Sequence, residues 1–201
     1  MRFAIAGRSL LFTLASLVAL GAAIHMSLSL SWVVAETSVL APGNSDAGIV
    51  GQKEGMSPTK KAEALGIKFE KLEPGYLNRC VKSGKLLFTS GHTSKIKGRL
   101  GKDLKVEDGY KAARESAIEN LRAVYNTHGT IDNLKVVKVF GCVNSSPDFY
   151  DQPKVINGCS DLLHELYGAK TDGWHARSAL GFAALPGGAA VEIEMIFEIK
   201  D

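Results

Sequence analysis

The sequence predicts an α+β domain in which a mixed sheet carries two helices packed on one face. Strand-like runs, which alternate in polarity or are rich in β-branched residues, occupy parts of 76–90, 134–143 and 176–199. Between them lie two stretches with apolar residues at helical spacing. Strands combined with helices on one side of the sheet define this class. A chain of 201 residues, 45% of them apolar, can form one such domain plus an extension.

The domain is placed at 62–201 and begins with a predicted hairpin. Residues 76–82 and 85–90 are predicted strands, joined at Ser83-Gly84, which is a two-residue turn signal between apolar runs. Residues 91–102, rich in glycine and lysine, form a predicted loop.

The longest predicted element is a helix over 106–128. Its first turn is acidic and Gly129 follows its end, where a capping glycine belongs. A β-branched strand is predicted over 134–143, and a second helix over 153–167 ends at Gly168. The remaining runs, 176–183 and 189–199, predict a closing strand pair.

The closing pair carries the candidate chemistry. Strict alternation over 191–199 places apolar residues on one face and Glu192, Glu194 and Glu198 on the other. If the two strands are neighbours, Arg177 and Glu192 can face one pocket. A guanidinium grips a carboxylate through two parallel hydrogen bonds, and a glutamate can orient or deprotonate water. This combination predicts hydrolysis of a small acid.

The N-terminal extension divides into two parts. Residues 1–35 contain two arginines, Arg2 and Arg8, and then an uncharged apolar run. Such a run predicts either a signal peptide cut before Glu36 or an uncleaved membrane anchor, because about 20 apolar residues can span a bilayer. Export, or targeting to an organelle, follows from the first alternative. Residues 36–61, rich in small residues, predict a flexible linker.

Charge and cysteine content exclude two kinds of site. Without residues 1–35 the chain has 22 basic and 21 acidic residues, so it lacks the strong basic excess of most nucleic-acid-binding domains. Cys80, Cys142 and Cys159 have no metal-ligand spacing, and no metal site is expected. Cys80 and Cys142 are predicted to be buried and unbridged.

Several short motifs resemble those of the RidA/YjgF family of reactive intermediate deaminases, also known as endoribonuclease L-PSP. The resemblance covers about 65–200, and the order of elements is similar as well. Its most specific part is the spacing of Arg177 and Glu192. The motifs are Tyr76, Thr89-Ser90-Gly91, Asn144, Ala176-Arg177-Ser178, Leu185-Pro186 and Val191-Glu192-Ile193-Glu194.

The resemblance implies a chorismate-mutase-like fold, a homotrimer with sites between subunits, and hydrolysis of enamines and imines such as 2-aminoacrylate to 2-keto acids and ammonia. It implies no metal or organic cofactor, and the near balance of basic and acidic residues indicates no nucleic-acid partner. Arg177 would bind the substrate carboxylate and Glu192 would position or activate water. The implied substrate contacts are Tyr76, Ser90, Gly91, Asn157 and Ala179.

Two positions differ from the pattern of many members. Ala179 replaces a cysteine two residues after the arginine, and His92 replaces a glutamine after Ser-Gly. These changes keep open a carboxylate-binding module without turnover. The older family name leaves a ribonuclease as a further alternative, with less support. Simpler structural roles also remain open. Arg177 could pair with a glutamate across the sheet, Ser90 could bond backbone, and His92 could face solvent, whereas His175 could share the face of Arg177.

Overall fold

The computed structural model describes residues 55–73 and 75–201, so the predicted leader and residues 36–54 of the predicted linker lie outside the described part. Three α-helices and six strands are found in this part. They are α1 (Pro58–Ala64), β1 (Cys80–Ser83), β2 (Leu86–Thr89), β3 (His92–Thr93), α2 (Val106–His128), β4 (Leu134–Asn144), α3 (Gln152–Tyr167), β5 (Ala176–Phe182) and β6 (Val191–Ile199).

The strands form one mixed sheet in the order β1-β2-β6-β4-β5, and β3 pairs with β6 beside this path. All pairings are antiparallel except that of β4 with β5. Parallel neighbours need a crossover connection, and α3 supplies it between β4 and β5. The central strands are therefore β6 and β4, and β5 is an edge strand.

Helices α2 and α3 pack on one another and cover one face of the sheet. Their contact is close, because a Cβ atom added at Gly158 of α3 would lie 2.0 Å from the backbone oxygen of Tyr110 in α2. Side chains of both helices and of the central strands, such as Leu121, Ile156 and Met195, are almost fully buried between these layers. This packing fixes the position of α3 above the sheet edge.

The opposite face of the sheet has no covering layer within the described residues. Cross-strand pairing places the outward-facing apolar side chains of five strands on this face. Several of them are well exposed, including Leu180 at 47% and Phe88 at 39%. We call this the outer face. Its apolar members are Val81, Phe88, Phe140, Leu180, Phe182 and Ile196.

The α+β class, the mixed sheet and the hairpin are confirmed. Gly84 adopts a positive φ of 58° in the hairpin turn, and helix α2 has the predicted bounds, ended by Gly129 at φ 87°. None of the helices within the described ranges is both long and apolar enough to cross a membrane.

Four expectations are wrong in detail. A third helix, α1, begins at Pro58 within the predicted linker, because Ser57 caps it and proline suits a first helical turn. The first strand starts at Cys80 rather than at residue 76, and the predicted loop contains β3. The closing strands do not pair: β4 separates β5 from β6. The short connection suggested a hairpin, but the parallel crossover places β5 on the far side of β4.

Candidate functional site

Arg177 lies on edge strand β5, on the face of the sheet that carries the helices. It pairs with Val139 of β4, which faces the core. Its Nη1 atom donates to Asn157 Oδ1 at 2.9 Å and to Ser160 Oγ at 3.0 Å, both on α3. Helix α3 therefore holds one side of the guanidinium, and this partly buried cation can offer its other N–H groups to a ligand.

His175 and Gly173 extend this hydrogen-bond cluster. We call Arg177, Asn157, Ser160, His175 and the neighbouring Ala179 the arginine half. Ser160 Oγ lies 3.0 Å from His175 Nε2, and His175 Nδ1 lies 2.6 Å from the carbonyl oxygen of Gly173. Burial and the charge of Arg177 are among the causes that lower the pKa of His175, burial being the largest. Ser160 thus bridges His175 and Arg177, the two residues that the sequence suggested could share a face. Ser160 was not among the predicted site residues, although its spacing of three residues from Asn157 places both on one helix face.

Glu192 lies on β6, on the outer face of the sheet. It pairs with Thr93 of β3 and with Cys142 of β4. Gly91 is so close that an added Cβ atom would lie 2.1 Å from Glu192 Oε1. Burial, and then repulsion by Glu194, raises the pKa of Glu192 above its usual range. A carboxylate with a raised pKa accepts a proton more readily, as a general base requires.

Ser90 and Tyr76 lie on the chain segments that lead to Gly91 and to β1. The Ser90 hydroxyl donates to the backbone oxygen of Asn78 at 2.7 Å, and the Ser90 N–H bonds the oxygen of Arg79. Ser90 therefore bonds the backbone, which is the simpler structural role considered from the sequence. Tyr76 is fully exposed and lies before β1 rather than on a strand, so the expected N-terminal strand does not include it. We call Tyr76, Ser90, Gly91 and Glu192 the glutamate half.

The two halves do not form one pocket within a single chain. Strand β4 lies between Arg177 and Glu192, and Arg177 faces the helices whereas Glu192 faces outward. The prediction that they lie on neighbouring strands is wrong for this reason. An ion pair between them is also absent from the described residues, where Arg177 instead bonds α3.

Ala179 and Asn157 both belong to the arginine half. Ala179 pairs with Gly141 of β4 and packs partly against the core on the same face as Arg177. Asn157 is exposed and contacts the guanidinium through its side-chain oxygen. The structure thus brings Arg177, Asn157 and Ala179 together on one edge.

His92 does not face solvent, and that expectation is wrong. It lies on β3, only 8% exposed, with Nε2 3.3 Å from the carbonyl oxygen of Arg79. Its pKa is lowered chiefly by burial. His92 and Gly91 line a polar cleft of about 460 Å³ between β3 and α2, to which Glu119 and Arg122 contribute an ion pair. This cleft adjoins the glutamate half at Gly91.

Comparisons with known proteins cover the whole of this region. The family model described as Endoribonuclease L-PSP matches residues 71–199. Protein TCP17 of Trypanosoma cruzi is 41% identical over 126 residues, which are 59% of this chain and 78% of that protein.

Two solved structures are similar in fold. Atu1372 of Agrobacterium tumefaciens, a protein of unknown function, is 32% identical with a TM-score of 0.64, and the match covers 72% of this chain and 94% of that one. A Shewanella oneidensis MR-1 protein, named as a candidate endoribonuclease, has a TM-score of 0.65 at 23% identity and matches over 72% of this chain and all of that chain (100%).

Proposed function

Because this chain belongs to the endoribonuclease L-PSP family, which is the RidA/YjgF family, we propose that it hydrolyses reactive enamines and imines of small 2-amino acids. The substrates resemble 2-aminoacrylate and its imine tautomer, and the products are 2-keto acids and ammonia. Water adds to the C=N carbon, the carbon–nitrogen bond of the resulting carbinolamine breaks, and ammonia leaves as the carbonyl forms. This reaction consumes only water and needs neither a metal nor an organic cofactor.

The observation that carries the proposal is the fixed guanidinium of Arg177. Asn157 and Ser160 hold the Nη1 atom from the helix side. The rest of the fork suits a planar carboxylate, which every substrate of this class has. Binding through the carboxylate places the neighbouring imine carbon at a defined distance from the cation, and such orientation lowers the barrier to attack by water.

Glu192 is proposed as the group that positions or activates this water. Its raised pKa makes it a better proton acceptor than an ordinary surface glutamate. Gly91, Ser90 and Tyr76 would contact the substrate beside it, and Ala179 would do so through its backbone next to Arg177.

The site is proposed to form between copies of the chain in a homotrimer. Within one chain the arginine and glutamate halves lie on opposite faces of the sheet. A second copy can bring its own glutamate half to the arginine half of the first. The exposed apolar side chains of the outer face, such as Phe88 and Leu180, support burial of this face in an assembly.

The test is an ammonia-release assay on freshly generated 2-iminopropionate. We expect Arg177→Ala to lower kcat/KM by about a hundredfold or more, since a charge-assisted bidentate contact is lost. Arg114→Ala is the control, because Arg114 pairs with Glu165 between α2 and α3, away from both halves. An Arg177→Ala variant as fast as the parent would overturn the role of Arg177.

Two other outcomes point to other functions. Calorimetric binding of 2-ketobutyrate without ammonia release from any imine would indicate a carboxylate-binding module, as the replacement at Ala179 allows. Cleavage of RNA by metal-free protein, lost in Glu192→Gln, would indicate the ribonuclease that the family name describes.

A further inference from the structure

A chain of hydrogen bonds leads from Arg177 away from the proposed substrate position. It passes from Nη1 of Arg177 to Ser160 Oγ at 3.0 Å, and from Ser160 Oγ to His175 Nε2 at 3.0 Å. It ends at the carbonyl oxygen of Gly173, 2.6 Å from His175 Nδ1. Ser160 is 6% exposed and His175 is half-buried, so the protein itself supplies the partners of these groups.

The chemistry of the four groups fixes the position of each proton. A guanidinium only donates, so Ser160 Oγ accepts from Arg177 and its own hydrogen is free to point to His175. A backbone carbonyl only accepts, so His175 Nδ1 carries a hydrogen. Nε2 of a neutral ring is then an acceptor and receives the Ser160 hydroxyl hydrogen. Each donor in this chain of hydrogen bonds has an acceptor when His175 is neutral and protonated at Nδ1.

We propose that His175, acting through Ser160, is a positioning residue that holds the Arg177 guanidinium in the orientation that binds a substrate carboxylate. This inference rests on the proposed function, since it concerns the same site. Asn157 fixes the same Nη1 atom from the solvent side. With two acceptors from α3, the side chain loses its freedom to rotate before the substrate arrives, which reduces the entropy cost of binding.

Protonation of His175 breaks this arrangement. A hydrogen on Nε2 would point at Ser160 Oγ, and the serine hydroxyl would have to turn away. The charged or titratable groups that act on His175 are His164 from α3 and Arg177 from β5; its backbone partner is Gly173. Burial is the largest cause that lowers the pKa of His175; the hydrogen bond to Gly173 raises this pKa, and repulsion by His164 and Arg177 lowers it. The neutral, bonding form is therefore the stable form at neutral pH.

The experiment compares His175→Ala with His175→Gln in steady-state hydrolysis of 2-iminopropionate. We expect His175→Ala to raise KM about tenfold with kcat nearly unchanged. The reason is that Ser160 loses the acceptor of its hydroxyl hydrogen and then holds the Arg177 guanidinium less firmly. Glutamine keeps an oxygen acceptor for Ser160 but does not titrate, so His175→Gln should restore KM to within about threefold. In the parent, KM should rise on acidification through the pKa of His175, and in His175→Gln this rise should be absent.

His128→Ala is the matched control, because His128 bonds Asn133 at the far end of α2 and should leave KM unchanged. The proposal is overturned if His175→Ala leaves KM unchanged, if glutamine fails to restore KM, or if His175→Gln keeps the pH dependence of the parent.

A nitrogen NMR measurement separates this proposal from the proposed function. In the parent protein at neutral pH, the ¹⁵N shifts of His175 should show a protonated Nδ1 and an unprotonated Nε2, and Ser160→Ala should shift Nε2. An Nε2–H tautomer would overturn the inference even in an active enzyme. If the parent neither hydrolyses imines nor binds 2-ketobutyrate, the proposed function fails and the carboxylate-orienting role falls with it, while the NMR result still decides whether His175 and Ser160 hold Arg177.

Discussion

The arginine half and the glutamate half solve the same problem, fixing one charged side chain, in different ways. Arg177 is fixed by partners: Asn157 and Ser160 accept its hydrogens. Glu192 is fixed by space, since the absence of a side chain at Gly91 leaves room for its carboxylate. A cation with many donors is thus fixed by a network of hydrogen-bond acceptors, whereas a carboxylate at the sheet surface is fixed by the space that a neighbouring glycine leaves.

The electrostatic surroundings of Arg177 and Glu192 differ as well. The arginine half places a neutral histidine, with a lowered pKa, behind its cation. In the glutamate half, burial raises the pKa of Glu192, and repulsion by a second carboxylate, Glu194, raises it further. In the proposed function, one half keeps its charge fixed for binding, and the other half holds a carboxylate that accepts a proton more readily.

A large loss of turnover should follow from filling the space beside Glu192. In Gly91→Ala the new methyl carbon would overlap Glu192 Oε1, which has to move. We expect kcat to fall about a hundredfold, within the range typical of a lost general base. Affinity for 2-ketobutyrate, which depends on the arginine half, should change far less.

Gly75→Ala is the control for this change, because an added Cβ atom there meets only the Leu77 backbone oxygen at an ordinary 3.7 Å. Equal loss of turnover in both variants, or a Gly91→Ala enzyme with unchanged kcat, would show that space beside Glu192 does not matter.

A smaller effect should follow from removing the neighbouring charge. Glu194→Gln takes away the repulsion that helps to raise the pKa of Glu192, so that pKa should fall. As a base, Glu192 must be ionised, and activity is lost as the pH drops through its pKa. The acidic limb of the profile of kcat/KM against pH should therefore move to lower pH, and part of the raised pKa should remain because burial is the larger cause. A shift to higher pH would contradict this assignment.

Elements whose ends or faces are marked by nearby residues in the sequence were predicted correctly. Helix α2 has the predicted bounds because acidic residues at its start and Gly129 at its end mark both termini. The alternation over 191–199 correctly assigned Glu192 to the face opposite the core. The cluster around Arg177 was partly predicted, since the resemblance named Asn157 and strand phase suggested His175.

The strand order, the burial of His92 and the contacts of Ser160 depend on pairing between distant segments, which local sequence patterns do not encode. The strand order that separates β5 from β6 follows from the crossover through α3. The burial of His92 follows from the pairing of β3 with β6, which places it opposite the buried Ile193. A glycine- and lysine-rich segment gave no signal for a strand of two residues. Ser160 is an ordinary helix serine by sequence, and only the fold shows its partners, Arg177 on β5 and His175 just before β5.

In the proposed trimer, Arg177 of one copy and Glu192 of another complete each site. This arrangement is tested most directly by mixing two inactive variants, Arg177→Ala and Glu192→Gln, through joint unfolding and refolding, and then measuring ammonia release. If the site lies between copies, about one quarter of the sites in a randomly mixed trimer regain both groups and activity returns. If mass spectrometry shows mixed oligomers that remain as inactive as either variant alone, the two residues do not act across copies and the account is wrong.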